Sequence, residues 1–315
     1  MAKKQEDIRE FTWGRAVFLL ITLVAVGFIL SIIMSLFIGS DVESLSGNVA
    51  VIPVKGVILG DDGDYLFDEV VSSEEAIELI EKAAENPNIK AIILEINSPG
   101  GSPVASEEIA NAIKKTNKTT VAWIREVGAS GAYWVASSSD YIVASRMSIT
   151  GSIGVIGSYL EFEGLVNRYN LTYRRLVSGK YKDIGDPFKE LTQEEQEILQ
   201  KNLDSIRDFF VEEVAKNRNM KKYEVEKAAN GLFYLGEEAK KLGLIDEIGG
   251  KDEAIKFIEE KEAITAELVD YEPEKSLLDL FSDIMSKQSF NAGMGFGKAL
   301  LNPNLYNKVV NQYII

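Results

Sequence analysis

The longest apolar run in the chain extends from Ala16 to Ile38, interrupted only by Thr22, Gly27, Ser31 and Ser35, and it carries no charge. Wound as a helix at 1.5 Å per residue it reaches about 34 Å, enough for a hydrocarbon core of ~30 Å. The plainer readings are a buried core helix or a cleaved leader, but the run exceeds a leader's apolar region and no Ala-x-Ala-like site follows it. Lys3, Lys4, Arg9 and Arg15 precede the run, whereas Lys55 is the first basic residue beyond it, behind Asp41 and Glu43. The pattern predicts a single-pass anchor in the cell membrane over residues 16–38. Residues 1–15 then form a cytoplasmic N-terminus, and the chain beyond residue 39 is extracytoplasmic.

After a polar linker over residues 39–48 the period changes. Val49 to Leu59 alternates and is β-branched, which predicts a strand. Ser72 followed by Glu75 forms a capping box that opens a helix with Ala76, Ile80 and Ala83 on one face. Ile89 to Ile96 is nearly continuous in apolar residues, as a buried parallel strand is. It breaks at Asn97-Ser98-Pro99-Gly100-Gly101, and Ser102 with Pro103 starts the next helix. Thr119 to Glu126 and Tyr141 to Ala144 read as strands, and Ser152 to Gly157 as a glycine-punctuated one. Thr192 and Glu195 cap a long helix with Leu199, Leu203, Ile206 and Phe210 at core spacing. Gly236 to Gly250 reads as helix, turn and short strand, and Lys251 to Glu260 as a helix. Residues 49–270 thus form an α/β domain with a parallel sheet flanked by helices, its catalytic groups expected at strand carboxyl ends. The tail over residues 271–315 carries an amphipathic segment (Leu277, Leu278, Leu280, Phe281, Ile284), a glycine-rich stretch and an apolar end. Its partner is open: the domain, a neighbouring subunit or the membrane surface.

Composition narrows the chemistry. The 315 residues contain no histidine and no cysteine, which excludes a Ser-His-Asp triad and any metal site built on imidazole or thiolate. A formal charge of -15 argues against nucleic acid as a partner. What remains is Gly128-Ala129-Ser130-Gly131-Ala132-Tyr133, where a serine ends a strand-like run and opens a helix-like one. Without histidine, the base for Ser130 is best supplied by a desolvated lysine. Ser178-Gly179-Lys180-Tyr181-Lys182-Asp183 offers two, facing the same way if extended. The glycines of the Ser98–Gly101 loop, together with the Gly131 amide, could supply an oxyanion hole. Each feature also has a bland reading, as a tight turn or a surface lysine.

Taken in order, the Asn97–Gly101 loop, the Gly128–Tyr133 turn, Thr150-Gly151-Ser152-Ile153-Gly154-Val155 and the Ser178–Asp183 segment resemble the signal peptide peptidase A family. The resemblance spans about residues 49 to 260. It implies the Clp protease/crotonase fold, with repeated β-β-α units and a parallel sheet, and a membrane-anchored Ser/Lys serine protease. By position, Ser130 matches the nucleophile and Lys182 the general base, since the family's lysine directly precedes the acidic residue. Ser152 matches the lysine-orienting hydroxyl, and Gly101 and Gly131 match the oxyanion-hole positions. Gly100, Ile153, Gly154 and Val155 become candidate substrate-binding positions. The implied substrates are remnant signal peptides and other apolar peptides, with no metal and no cofactor. The chain has one catalytic unit where long family members have two, so a ring-shaped homo-oligomer is expected to complete its sites. Rival readings are a crotonase-like acyl-CoA enzyme, a protease of the stomatin-cleaving type, and a tethered scaffold without catalysis.

Overall fold

A computed structural model describes residues 13–38, 47–61 and 70–272 of the chain. The apolar N-terminal run forms helix α1, Trp13–Ile38. Side chains are described there for residues 17–31, and all are exposed. Among the described residues no helix is long and apolar enough to cross a membrane. The amphipathic segment expected at Leu277–Ile284 lies outside the described residues.

The expected strand over Val49–Leu59 is two strands. Gly56, at φ 85°, separates Val49–Lys55 (β1) from Val57–Leu59 (β2), which leaves the main sheet to pair in parallel with Val70–Ser72 (β3). Helix α2, Ser73–Glu85, follows; the Ser72 hydroxyl accepts the Glu75 N–H, and Ala76, Ile80 and Ala83 are buried as the spacing predicts. Ala91–Ser98 (β4) leads into α3, Pro103–Lys115, with proline in its first turn. Thr119–Ala129 (β5) leads into the short α4, Gly131–Ser137, and then Tyr141–Ala144 (β6).

The glycine-punctuated strand falls elsewhere than expected. It is Ile149–Gly151 (β7), and no strand runs from Ser152 to Gly157. Gly151 and Ser152 both have positive φ (77° and 50°), which turns the chain off the sheet after three residues. Beyond come α5 (Glu163–Arg168), α6 (Gln193–Asn217), α7 (Lys222–Ala228) and Phe233–Leu235 (β8). The order ends with α8 (Gly236–Lys241), Glu247–Ile248 (β9), α9 (Lys251–Glu262) and Leu268–Asp270 (β10).

The fold is mixed α/β around a mostly parallel sheet in the order β10-β1-β4-β5-β6-β9. β7 extends the register beside the end of β5, and β8 pairs antiparallel with β7. Alternation along the strands divides the core between the two faces. Ala50, Ile52, Val54, Ile92, Leu94 and Ile96 pack with residues of α2, α3 and α4, while Val49, Val51, Ile93, Val121 and Val143 pack with Ala254 and Ile258 of α9. The stripe read on α6 is core only in part. Phe210 is buried, but Leu199, Leu203 and Ile206 are half-buried, because this half of the helix runs alongside a cleft.

Candidate active site

Two turns at the carboxyl ends of β4 and β5 meet at Ser130. The β4–β5 register slips between Ile96 and Ser98, and the Asn97 side chain fills the gap by accepting the Val127 N–H at 3.2 Å. The buried Ser98 hydroxyl accepts the Gly100 N–H at 3.1 Å, which folds the loop back. β2 then clamps it from outside: Ile58 N–H donates to Gly100 O at 3.0 Å, and Ser102 N–H donates to Ile58 O at 2.8 Å. Backbone groups alternate along an extended chain, so the Gly101 N–H between these two bonds faces away from β2. Its nitrogen lies close to Gly131: a Cβ placed on Gly131 would lie 3.2 Å from it.

Ser130 itself is held at φ 53°, ψ −126°, a conformation that costs about 1–3 kcal/mol in a non-glycine residue and persists only where surroundings enforce it. Its N–H donates to Gly151 O at 2.8 Å, and its carbonyl accepts from Tyr133 and Trp134. The amides of Gly101 and Gly131 donate to no acceptor among the described residues. Two unpaired N–H groups beside one strained serine can stabilise a developing oxyanion.

The serine opens on a cleft of about 600 Å³ lined by Ser152, Gly154, Val155, Leu203, Asp204 and Arg207, among others. A smaller adjoining cavity of about 110 Å³ has Gly101, Gly131, Trp134, Ile206 and Phe210 in its walls. Trp134 and Phe210 stack at 4.9 Å between ring centroids. Arg207 fixes the far wall, its Nε and a terminal nitrogen donating to Ala229 O at 3.1 and 2.8 Å. Sequence reasoning missed this α6 wall, because its apolar residues have core spacing and only its polar ones, Gln200, Asp204 and Arg207, hint at a cleft.

Among the predicted site residues, Ser130, Ser152, Gly154 and Val155 share the large cleft, and Gly101 and Gly131 line the smaller cavity. The Ser152 N–H donates to Leu232 O at 3.0 Å and its hydroxyl to Gly231 O at 3.3 Å. Gly100 shapes the loop without lining either space. Ile153 is fully buried in the core and lines neither space. Lys182 is not brought there: it is exposed and lines neither cavity. Its amine has no partner among the described residues, unlike that of Lys180, which donates to both oxygens of Glu194 at 2.7 and 2.8 Å. That carboxylate, with Tyr181, pushes the Lys180 ammonium above its ordinary range and so favours its charged form.

A serine on a strained strand-to-helix turn, flanked by free glycine amides in a cleft, defines a serine-type hydrolase. The model of peptidase family S49 matches residues 112–265. A candidate protease of Methanocaldococcus jannaschii is 37% identical, over 71% of this chain and 71% of its own. A candidate signal peptide peptidase SppA of Enterococcus faecium is 34% identical over 69% of this chain, which spans just under two thirds (65%) of that relative. The chain belongs to peptidase family S49 and is a serine-type peptidase. A solved mutant of the 1510-N membrane-bound stomatin-specific protease aligns with 72% of this chain and 99% of its own, at 16% identity and a TM-score of 0.45.

Proposed function

We propose that this peptidase is a membrane-anchored endopeptidase of the Clp protease/crotonase fold, working through a Ser130/Lys182 dyad on remnant signal peptides and other apolar peptides. The observation that carries the reading is the pair of unpaired amides, Gly101 and Gly131, lining one cavity with Ser130. Neutral Lys182 takes the proton of Ser130, and the alkoxide attacks the peptide carbonyl. The oxyanion rests on the two amides until the lysine protonates the leaving amine. Water, deprotonated by the same lysine, then releases the acyl group. Ser152, in the same cleft as Ser130, holds the lysine when it arrives.

The amine is supplied by assembly. The segment from Ile156 to Phe188 exposes Ile156, Leu160, Leu171 and Leu176, each more than 60% accessible, more apolar surface than an isolated chain ordinarily leaves wet. A neighbouring copy covering that arm would desolvate it and seat Lys182 against a cleft, in a ring-shaped homo-oligomer. The uncharged run Ala16–Ile38 within helix α1 supports the anchor. The basic residues before it support a cytoplasmic N-terminus and an extracytoplasmic catalytic domain.

Ser130→Ala and Lys182→Ala should each abolish cleavage of an apolar fluorogenic peptide by the full chain in detergent. Co-assembling the two inactive variants should restore part of the activity, since a mixed particle regains intact Ser130–Lys182 pairs. Full activity in either single variant removes that residue from its role.

A further inference from the structure

The turn that carries Lys182 has little apolar packing of its own, and residues from Ser158 to Lys182 are nearly all exposed. The Tyr181 hydroxyl donates to Glu194 of α6 at 2.6 Å on the exposed side, but the buried tie between the turn and α6 is a chain of charges. The Asp183 side chain is 9% exposed, with Arg175 Nε at 2.6 Å and Lys189 Nζ at 3.5 Å. Lys189 also pairs with the buried Glu195. Glu195 in turn accepts the Thr192 N–H at 3.1 Å and the Thr192 hydroxyl at 3.0 Å, closing the cap of α6. The other pairs on this turn are exposed. Lys180–Glu194 is 66% and 55% accessible, and such pairs hold geometry weakly.

Asp183 has a second peculiarity. Neither of its buried oxygens has an aligned hydrogen-bond donor, although Arg175 lies at contact distance. The carboxylate is held by charge alone, so losing either cation leaves a buried anion with only the other to offset it. The chain Arg175–Asp183–Lys189–Glu195 thus runs from the residue adjoining Lys182 to the first turn of α6. Further along, that same helix forms the wall of the Ser130 cleft through Leu203, Asp204 and Arg207.

We propose that Asp183, clasped by Arg175 and Lys189, is a positioning residue for Lys182. It locks the turn that carries the base in register with the helix that walls a catalytic cleft. The proposal rests on the reading of Lys182 as the base. Because the contact is ionic, its loss loosens where the amine sits without touching substrate, so turnover suffers and substrate binding does not.

The test is steady-state cleavage of an apolar fluorogenic peptide by the full chain in detergent. The variants are Asp183→Asn, Arg175→Gln, the two combined, Arg175→Lys, and Lys182→Ala as reference. Each of the first two should lower kcat by about 10- to 100-fold with KM changed less than about twofold, the size expected of a base displaced by a fraction of an ångström. The double variant should lose no more than the worse single, because both remove one interaction. Arg175→Lys should recover most of the Arg175→Gln loss. If Asp183→Asn does not accumulate as folded protein, Lys189→Gln takes its place in the same cycle. Wild-type kcat in the Asp183 and Arg175 variants, with Lys182→Ala inactive, overturns the positioning role and leaves the dyad intact. Multiplicative losses in the double variant overturn it as well. An active Lys182→Ala removes the dyad reading itself.

Discussion

Gly100→Ala tests whether the Ser98–Gly101 loop works by placing an amide rather than by closing a turn. Gly100 sits at φ +100°, and an added Cβ would lie 2.6 Å from the Gly131 nitrogen, 2.8 Å from Ala129 O and 2.9 Å from Ser130 Cβ. Ordinary contact begins near 3.4 Å, so the shortfall against the Gly131 nitrogen is about 0.8 Å. All three obstacles belong to the Ser130 turn, and none is the far end of a flexible side chain. The loop must therefore back away from Ser130, taking the Gly101 amide with it, or push the Gly131 amide aside. A misplacement near 1 Å costs on the order of a hundredfold in rate, and outright loss of one oxyanion donor costs about 10²- to 10³-fold. The expected result is a fall in kcat of about 10²-fold, equivalent to about 2.7 kcal/mol of transition-state stabilisation, with KM nearly unchanged. Gly243→Ala is the control. It imposes a comparable left-handed strain at φ +77°, but its Cβ meets only the Met220 side chain at 3.7 and 3.8 Å. Gly243→Ala should lose about 1–3 kcal/mol of stability by urea denaturation from strain alone and Gly100→Ala more from its added clash, and only Gly100→Ala should lose turnover. A folded Gly100→Ala enzyme within about threefold of wild-type kcat would refute the oxyanion assignment.

Two further outcomes concern stability. The Tyr133 hydroxyl, fully buried directly behind the Ser130 turn, donates to Leu244 O at 2.8 Å, and burial pushes its ionisation far above the ordinary phenol range. Tyr133→Phe leaves that carbonyl unpaired and should cost about 1–3 kcal/mol in urea denaturation; no measurable change would remove the bond from the account. Glu195 is pulled down to about 2, first by Lys189 and then by the Thr192 N–H. Its folded value lies below the unfolded one, so its contribution is complete above about pH 4.3 and is lost as pH falls toward about 2. Urea midpoints measured from pH 5 to pH 2.5 should decline less steeply in Glu195→Gln than in wild type, and parallel curves would contradict the pairing.

How legible the site was in the sequence depends on what holds each part. The Ser130 turn and the Gly100-Gly101 loop could be read directly, because a break in an apolar strand followed by small residues is a local signal, and the structure sets both at strand carboxyl ends. The strand predicted at Ser152–Gly157 was displaced to Ile149–Gly151 because periodicity does not register φ, and two successive left-handed residues end the strand there. The α6 stripe misled for a related reason: Leu203 and Ile206 keep helical spacing whether they face a core or a cleft. Only the burial of Phe210, Val211 and Val214 against the exposure around them separates the two halves of the helix.

Lys182 marks the limit of such reading. Nothing in Ser178–Asp183 distinguishes its two lysines by spacing. What separates them is the company each keeps: Lys180 is committed to Glu194, while Lys182 stands unpaired beside a carboxylate already claimed by Arg175 and Lys189. An amine meant to be neutral must have no anion of its own, since a dedicated carboxylate would stabilise the ammonium and defeat proton abstraction. By engaging Asp183 elsewhere, the two cations leave Lys182 without a counter-ion among the described residues. In the proposed assembly, a neighbouring copy that covered this turn would find no carboxylate bound to the Lys182 amine. Under the proposed Ser130/Lys182 reading, the apolar arm would take water away from the amine and the ion chain would keep the Asp183 charge engaged elsewhere.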